Sequence, residues 1–301
     1  MNVFVTGSAG YIGSAVARVL AEAGLAVRGG VRAPAALPSW VEAVVTGDLA
    51  MGAPDFAGDF AVVHAAGLGH RTGVSVAEWR AGNLDAAVNV ARAARAAGVR
   101  RFVLVSTAHV HGRVHAGVVR DETAANPMDE YAASKLAAEA AVAEVFGEGL
   151  TIIRPVAVVG PGCPGNLQLV CKFLAARRPL PLAWIRNRRS FIQVNDVARL
   201  VLAAISAEVA PRVILAAHPE PVATPELIRA LARGMGVTPR LWPFPPALLG
   251  FFARAAGRGA MWQSLAGSFV VEPKNALALG WKPRESLTDS LEKTGAAYVV
   301  A

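Results

Sequence analysis

Tyr131 and Lys135 stand four residues apart in the run Tyr131-Ala132-Ala133-Ser134-Lys135. On a helix that spacing puts both side chains on one face. A free phenol ionises at a pH of about 10, and a neighbouring ammonium, or a positively charged nicotinamide ring, favours the phenolate. Tyr131 is therefore expected to exchange a proton with an alcohol or ketone while hydride passes to or from the ring. The competing reading is an ordinary surface pair on a helix. A third member should come from Val105-Ser106-Thr107, the end of an apolar run. Thr107 is preferred by position for polarising the substrate oxygen, with Ser106 as its neighbour. His109, His111 and His115 alternate along the next stretch. No carboxylate or cysteine sits at ligand spacing, so no metal is expected.

Such chemistry needs a dinucleotide, and the chain opens with a turn that fits one. Thr6-Gly7-Ser8-Ala9-Gly10-Tyr11-Ile12-Gly13 follows an apolar run and leads into an amphipathic one. Gly7, Gly10 and Gly13 allow a tight turn, a close approach of pyrophosphate to the N–H groups of Tyr11 and Ile12, and close helix packing. Asp48-Leu49 follows a later apolar run, where a carboxylate can accept from the adenine amino group. Ala65-Ala66-Gly67 ends another with residues small enough for the ribose and pyrophosphate to pass. Asn83 is a polar amide inside a helical pattern that otherwise has no use for it. At Gly29-Gly30-Val31-Arg32 the acid that would hold the 2′-hydroxyl of NAD is missing, and a cation follows. Arg32 is either a solvated loop residue or a partner for a 2′-phosphate; NADP(H) is expected, with NAD as the alternative.

The elements that must position these groups alternate along the first half. Strands are expected at Val3–Thr6, Ala26–Val31, Val44–Gly47, Phe60–His64, Arg101–Ser106 and Thr151–Val159, the last broken by Pro155. Helical spacing covers Ile12–Ala23, Val76–Ala97 and Tyr131–Phe146. Short apolar runs separated by helices predict an α/β fold with a Rossmann-type, doubly wound parallel sheet. Further on, Leu167–Ala176 and Val194–Ala207 read as helices, Val213–Ala217 as a strand, and the remainder as helical and proline-rich. The predicted division is a dinucleotide-binding domain at 1–158 and 190–217, and a smaller discontinuous substrate domain at 159–189 and 218–301.

Composition narrows the classes. Hydrophobic residues make up 54% of the 301 and charged ones 17%, which excludes a disordered chain. The formal charge of +8 comes from arginines spread along the chain, so an anionic small ligand is expected and nucleic acid is not. Cys163 and Cys171 cannot build a disulfide framework and fit a cytoplasmic protein. The most apolar late segment, Leu241–Ala256, is too short and proline-broken to span a bilayer. It reads as buried or as a lid, with contact to a membrane surface as the alternative.

Taken together, T-G-x-x-G-x-x-G, His64-Ala65-Ala66-Gly67, S-T-A-H-V-H-G at 106–112 and Y-A-A-S-K resemble the extended short-chain dehydrogenase/reductase family, in its UDP-galactose 4-epimerase-like branch. The likeness continues in Arg154-Pro155, Gly160-Pro161-Gly162, Gly165-Asn166-Leu167, Asn187-Arg188-Arg189-Ser190-Phe191-Ile192 and Leu279-Gly280-Trp281-Lys282-Pro283. The N-R-R-S-F stretch is similar to bacterial surface-polysaccharide enzymes, among them UDP-sugar 4-epimerases and UDP-N-acetylquinovosamine 4-ketoreductases. The resemblance implies a UDP-sugar substrate held by Asn166 and Arg189, Pro155 beside the cofactor, and a homodimer formed through helices at 84–97 and 132–145. Three departures stand out: His111 where relatives have Tyr, Ala157 where epimerases carry Asn, and Val31 in place of the acid. They tilt the expectation from a UDP-glucose or UDP-N-acetylglucosamine 4-epimerase toward 4-keto reduction of a UDP-hexose. A ketone or alcohol that is not a nucleotide remains a further alternative, supported by the apolar segment with Trp242 and Phe251-Phe252.

Overall fold

The computed structural model describes residues 1–69 and 73–300. Its centre is a parallel sheet of seven strands. In chain order these are β1 (Asn2–Thr6), β2 (Ala26–Val31), β3 (Val41–Val45), β4 (Ala61–His64), β5 (Arg101–Val105), β7 (Leu150–Pro155) and β10 (Val213–Ala216). They lie in the order β10-β7-β5-β4-β1-β2-β3, a doubly wound sheet whose strand order switches sense between β1 and β4. The central strands are buried on both faces, which is why they read as continuous apolar runs instead of alternating ones.

Helices cover both faces. On one side α1 (Tyr11–Glu22) packs against α6 (Val194–Ser206); on the other α3 (Ala86–Ala96) packs against α4 (Glu130–Phe146). Two apolar clusters fill the spaces between these pairs and the sheet, one built around Val16, Leu20, Val197 and Val201, the other around Val90, Phe102, Val142 and Phe146. A third cluster lies apart from the sheet. It joins α5 (Asn166–Ala175) and the segment to Phe191 with α7 (Thr224–Gly234) and α11 (Leu287–Val300). The chain between these last two helices carries α8 (Pro246–Ala255), α9 (Gly259–Ala266) and α10 (Lys274–Ala278).

The expected α/β architecture is present, with local differences that have physical causes. β3 begins at Val41, earlier than Val44, because pairing with β2 starts at Val27↔Val41. The strand expected at Thr151–Val159 is divided at Val156, where Pro155 cannot donate to the ladder. β7 stays in the main sheet, whereas β8 (Ala157–Val159) pairs with β9 (Phe191–Gln193) in a separate ribbon. A second ribbon, β6 (Val118–Val119) with β11 (Val270–Val271), is too short to show a period in sequence. The helix expected at Val76–Ala97 is interrupted: α2 (Val76–Trp79) leads into a π-helical turn at Arg80–Asp85 before α3 begins. Leu241–Ala256 is not buried, since Trp242, Leu248, Phe251 and Phe252 all face outward.

Candidate active site

The glycine turn occupies the crevice where the strand order switches sense, between the ends of β1 and β4. Gly7 has φ +67°, and a Cβ there would lie 2.9 Å from the backbone of Ala66. One on Gly13 would meet the Gly7 carbonyl oxygen at 2.1 Å, so the helix can sit on the turn only without a side chain at that position. α1 begins after Gly10 with no capping side chain, and its first N–H groups are left for another acceptor. Ala65, Ala66 and Gly67 form the opposite wall. Thr6 Oγ1 accepts from Ala66 N–H (3.2 Å) and is bonded to His64 Nδ1 (3.0 Å), tying the two strand ends together. Burial and the nearby Lys135 charge push His64 down to about 3, so the imidazole is neutral. An uncapped helix start facing small residues at a topological switch fits a dinucleotide. Gly7, Gly10, Tyr11, Ile12 and Gly13 would hold its pyrophosphate. The Tyr11 hydroxyl reaches over Gly160, away from the turn, so Tyr11 offers this site its backbone.

At the adenosine end, Arg32 pairs with Asp48 (2.8 Å) on the surface, and Asp48 Oδ1 also accepts from Ala50 N–H (3.0 Å). Solvated pairs of this kind are weak, so Arg32 can be recruited by a phosphate at little cost. The Leu49 carbonyl accepts from Asn89 (3.1 Å), which fixes the strand end beside α3.

The π-helical turn explains Asn83. It is buried, accepts from Leu68 N–H through Oδ1 (2.8 Å) and donates through Nδ2 to Ser134 Oγ (2.9 Å). Ser134 in turn donates to the Tyr131 carbonyl (2.8 Å). One amide thus links the segment after β4 to the first turn of α4. The extra residue in the turn is what swings that amide inward, a common use of π-bulges.

Tyr131 lies one residue inside α4, whose start is capped by Asp129 accepting from Ala132 N–H (2.8 Å). Its ring packs against Trp79 at 5.5 Å. Burial raises the phenol above its ordinary value, and a hydrogen bond with Thr107 works in the opposite direction. Thr107 Oγ1 already accepts from His109 N–H (3.2 Å), which leaves its own hydrogen for the phenol. Lys135 is on the same face of α4 and is buried, donating to the Val105 carbonyl (2.7 Å). Desolvation brings it down to about 8. The expected cation effect on Tyr131 is therefore not what dominates in the free chain. Burial of the phenol is the largest influence on it, the Lys135 charge is not among the others, and the ammonium is anchored on β5.

Ser106 is turned away from Tyr131 and donates to Glu139. Glu139 is one more turn along α4 and grips Arg154 of β7 through both oxygens, at 2.5 to 3.2 Å. Arg154 Nη1 lies 3.0 Å from His111 Nε2, and His111 Nδ1 lies 3.3 Å from the Ala124 carbonyl. Since a guanidinium can only donate, Nε2 accepts and Nδ1 carries the proton. Burial and the Arg154 charge keep His111 neutral by lowering its pKa. Nothing in the sequence announces this buried Ser106–Glu139–Arg154–His111 chain beyond His111 standing where relatives have Tyr. Pro155, the next residue, ends β7 within the sheet.

The two residues expected at the substrate are placed differently. Asn166 is exposed as the first residue of α5, after Gly165 at φ +82°. Arg189 is buried. Its guanidinium donates to the Gly267 carbonyl (2.9 Å), with the Arg113 and Gln263 carbonyls at 3.4 and 3.5 Å. Desolvation and the charge of Arg113 bring Arg189 down to about 10. No hydrogen bond joins Asn166 to Arg189 among the described residues. No group of three potential metal ligands occurs among the described residues either.

The chain is 30% identical over 252 residues to a UDP-glucose 4-epimerase of Vibrio cholerae, covering 80% of this chain and 77% of that protein. It is 35% identical over 262 residues to a ceramide reductase of Caulobacter vibrioides, covering 82% and 75%. Among solved structures it superposes on the Bordetella bronchiseptica enzyme WbmH in complex with NAD+, with a TM-score of 0.77, 25% identity and 99% and 97% of the two chains covered. The human epimerase family protein SDR39U1 with NADPH gives a TM-score of 0.80 at 20% identity, with 98% and 99% covered, which shows the fold. With residues 3–217 matching the model of the NAD dependent epimerase/dehydratase family, across the sheet, the glycine turn and the Tyr131–Lys135 helix alike, the chain belongs to that family of enzymes.

Proposed function

We propose that the protein is an NAD(P)H-dependent ketoreductase in which Tyr131 donates the proton and Thr107 holds the substrate oxygen. The observation that carries this reading is the placement of Thr107 beside the Tyr131 phenol, next to a buried Lys135 and opposite a glycine turn that fits a dinucleotide. The nicotinamide ring supplies hydride to the carbonyl carbon when the cofactor is bound. Tyr131, kept protonated by burial, gives its proton to the carbonyl oxygen as the alcohol forms. The phenolate left behind is stabilised by the Thr107 hydroxyl and the Lys135 ammonium. Asn83 keeps this helix start in register with the wall at Ala65–Gly67. Arg32, in place of an acid, supports NADP(H) as the preferred cofactor.

The substrate expected first is the 4-keto carbon of a UDP-hexose. Arg189 supports an anionic group, because its buried charge is met by carbonyls and by no carboxylate among the described residues. Asn166, at the uncapped start of α5, supports a phosphate nearby. An epimerase would use the same residues with retained NAD. A second reading, reduction of a long-chain ketone, draws on the outward apolar face of α8 and on the relative named as a ceramide reductase. The proposal includes the division at 1–158 with 190–217 and at 159–189 with 218–301. It also includes a homodimer through α3 and α4, where Ala133, Ala137 and Ala140 leave an exposed small-residue face.

The test is cofactor oxidation by purified protein with a UDP-4-keto-hexose and, separately, a long-chain 3-ketone, each with NADPH and NADH. Turnover with the first substrate supports the sugar reading and turnover with the second the lipid reading. Interconversion of UDP-glucose and UDP-galactose without added cofactor would overturn the reductase in favour of an epimerase.

A further inference from the structure

Amphipathic helices of globular proteins turn residues spaced i, i+3, i+4 and i+7 toward the core. In α8 that stripe is Leu248, Phe251, Phe252 and Ala255, and it faces solvent. Leu248 is 50% exposed and Phe251 and Phe252 are each 60% exposed. The other side of the helix is used, with Leu249 in the third apolar cluster and Gly250 pressed against Trp262 of α9. α8 is therefore held in place by one face and presents a second apolar face outward.

The chain leading into α8 adds exposed aromatic residues of its own. Trp242 is 45% exposed and Trp184 55%. Their segments run together, Trp242 N–H donating to the Leu180 carbonyl (3.1 Å) and Ala183 N–H to the Trp242 carbonyl (3.3 Å). Phe244 stacks edgewise on Trp242 at 5.6 Å. Contiguous exposed aromatic surface of this kind marks a contact site.

Charge says what it contacts. Between Glu226 and Glu272 the chain has Arg229, Arg233, Arg240, Arg254 and Arg258 and no acidic residue at all. Between Glu148 and Asp196 it has Lys172, Arg177, Arg178, Arg186, Arg188 and Arg189 after Arg154, and again no acid. Arg240, Arg254, Arg258, Arg177, Arg178 and Arg186 are exposed. Two copies meeting face to face through α8 would set Arg254 and Arg258 against their own counterparts, with no carboxylate from these stretches to offset them. An apolar stripe flanked by arginines and bordered by tryptophans instead matches an anionic lipid surface, with rings in the acyl boundary and guanidinium groups among the headgroups.

We propose that α8 and the Trp184–Trp242 ribbon dock the protein on an anionic membrane surface. Among the described residues no helix is long and apolar enough to cross a membrane, so the contact is peripheral. The inference rests on neither substrate reading, because its readout is binding and not turnover. α9, packed under α8, ends in the carbonyls that hold Arg189, so docking would bring the substrate lobe to the lipid.

The test is co-sedimentation of the full chain with phosphatidylglycerol vesicles and with phosphatidylcholine vesicles, alongside analytical ultracentrifugation without lipid. Binding to the anionic vesicles is expected to exceed binding to the neutral ones at least ten-fold and to weaken with salt. Phe251→Ser with Phe252→Ser, and separately Arg254→Glu with Arg258→Glu, should each lower it at least ten-fold at unchanged Tm. Equal binding of wild type and both double variants would overturn the proposal. So would absence of binding to either vesicle, or an assembly that Phe251→Ser/Phe252→Ser dissociates while vesicle binding is nil; the last result would assign the face to a second copy of the chain.

Discussion

Tyr131 and Lys135 share a helix face, yet in the free chain they have different neighbours, the phenol lying beside Thr107 and the ammonium donating to the Val105 carbonyl. This separation makes their roles distinguishable by pH. Burial raises Tyr131, so it stays protonated through neutrality, while Lys135 titrates at about 8. kcat/KM reports ionisations of the free enzyme. For ketone reduction it should fall as pH rises through about 8, tracking loss of the Lys135 charge. The sign for stability is opposite. A lysine lowered in the folded state costs stability while protonated, and that cost is relieved as pH rises from about 8 toward its unfolded value. Tyr131→Phe should reduce kcat by about 10²- to 10⁴-fold, the usual worth of a positioned acid, with cofactor affinity preserved. A steady-state assay against a fluorescence titration of NADPH separates the two.

At the scale of elements, the parts whose placement is legible in the sequence are those whose signal is local. The glycine turn, the strand ends and the Tyr131–Lys135 face each lie within one short window, and the chain places them together because parallel strands deliver their ends to one side of the sheet. Asn83 was visible as a polar misfit, but the π-helical turn that uses it was not, because helical spacing does not register one inserted residue. The Glu139–Arg154–His111 chain was illegible for a different reason. Its members are 15 and 43 residues apart and no spacing rule links them. That chain yields a stability prediction. Glu139→Gln leaves the Arg154 charge buried without its anion and should cost about 3–5 kcal/mol in a urea titration. Gly13→Ala should weaken dinucleotide binding at least ten-fold, about 1.4 kcal/mol, because its methyl would lie 2.1 Å from the Gly7 oxygen. Unchanged affinity in a thermal-shift titration would remove the turn from the site.

Over the whole molecule, the sheet and its helices carry the glycine turn and the Tyr131–Lys135 helix, and in the proposed function the third apolar cluster with α8 and α9 would meet the substrate. Leu241–Ala256 reads in the sequence as buried or a lid, with membrane contact as the alternative, because apolar composition does not report which side of the helix the protein covers. Only packing on α9 reveals that the covered side is Leu249 and Gly250. In the proposed function Arg32 would set the cofactor choice, standing just past the end of β2. Arg32→Ala should raise the KM for NADPH several-fold while leaving that for NADH unchanged. The measurement that bears most directly on the central claim is transfer of label from cofactor to product. With NADPH deuterated at the transferring position and the ketone that proves to be turned over, mass spectrometry should find one deuterium on the new carbinol carbon for wild type and almost none for Tyr131→Phe. Product formed without deuterium, or labelled equally well by Tyr131→Phe, would contradict reduction through Tyr131.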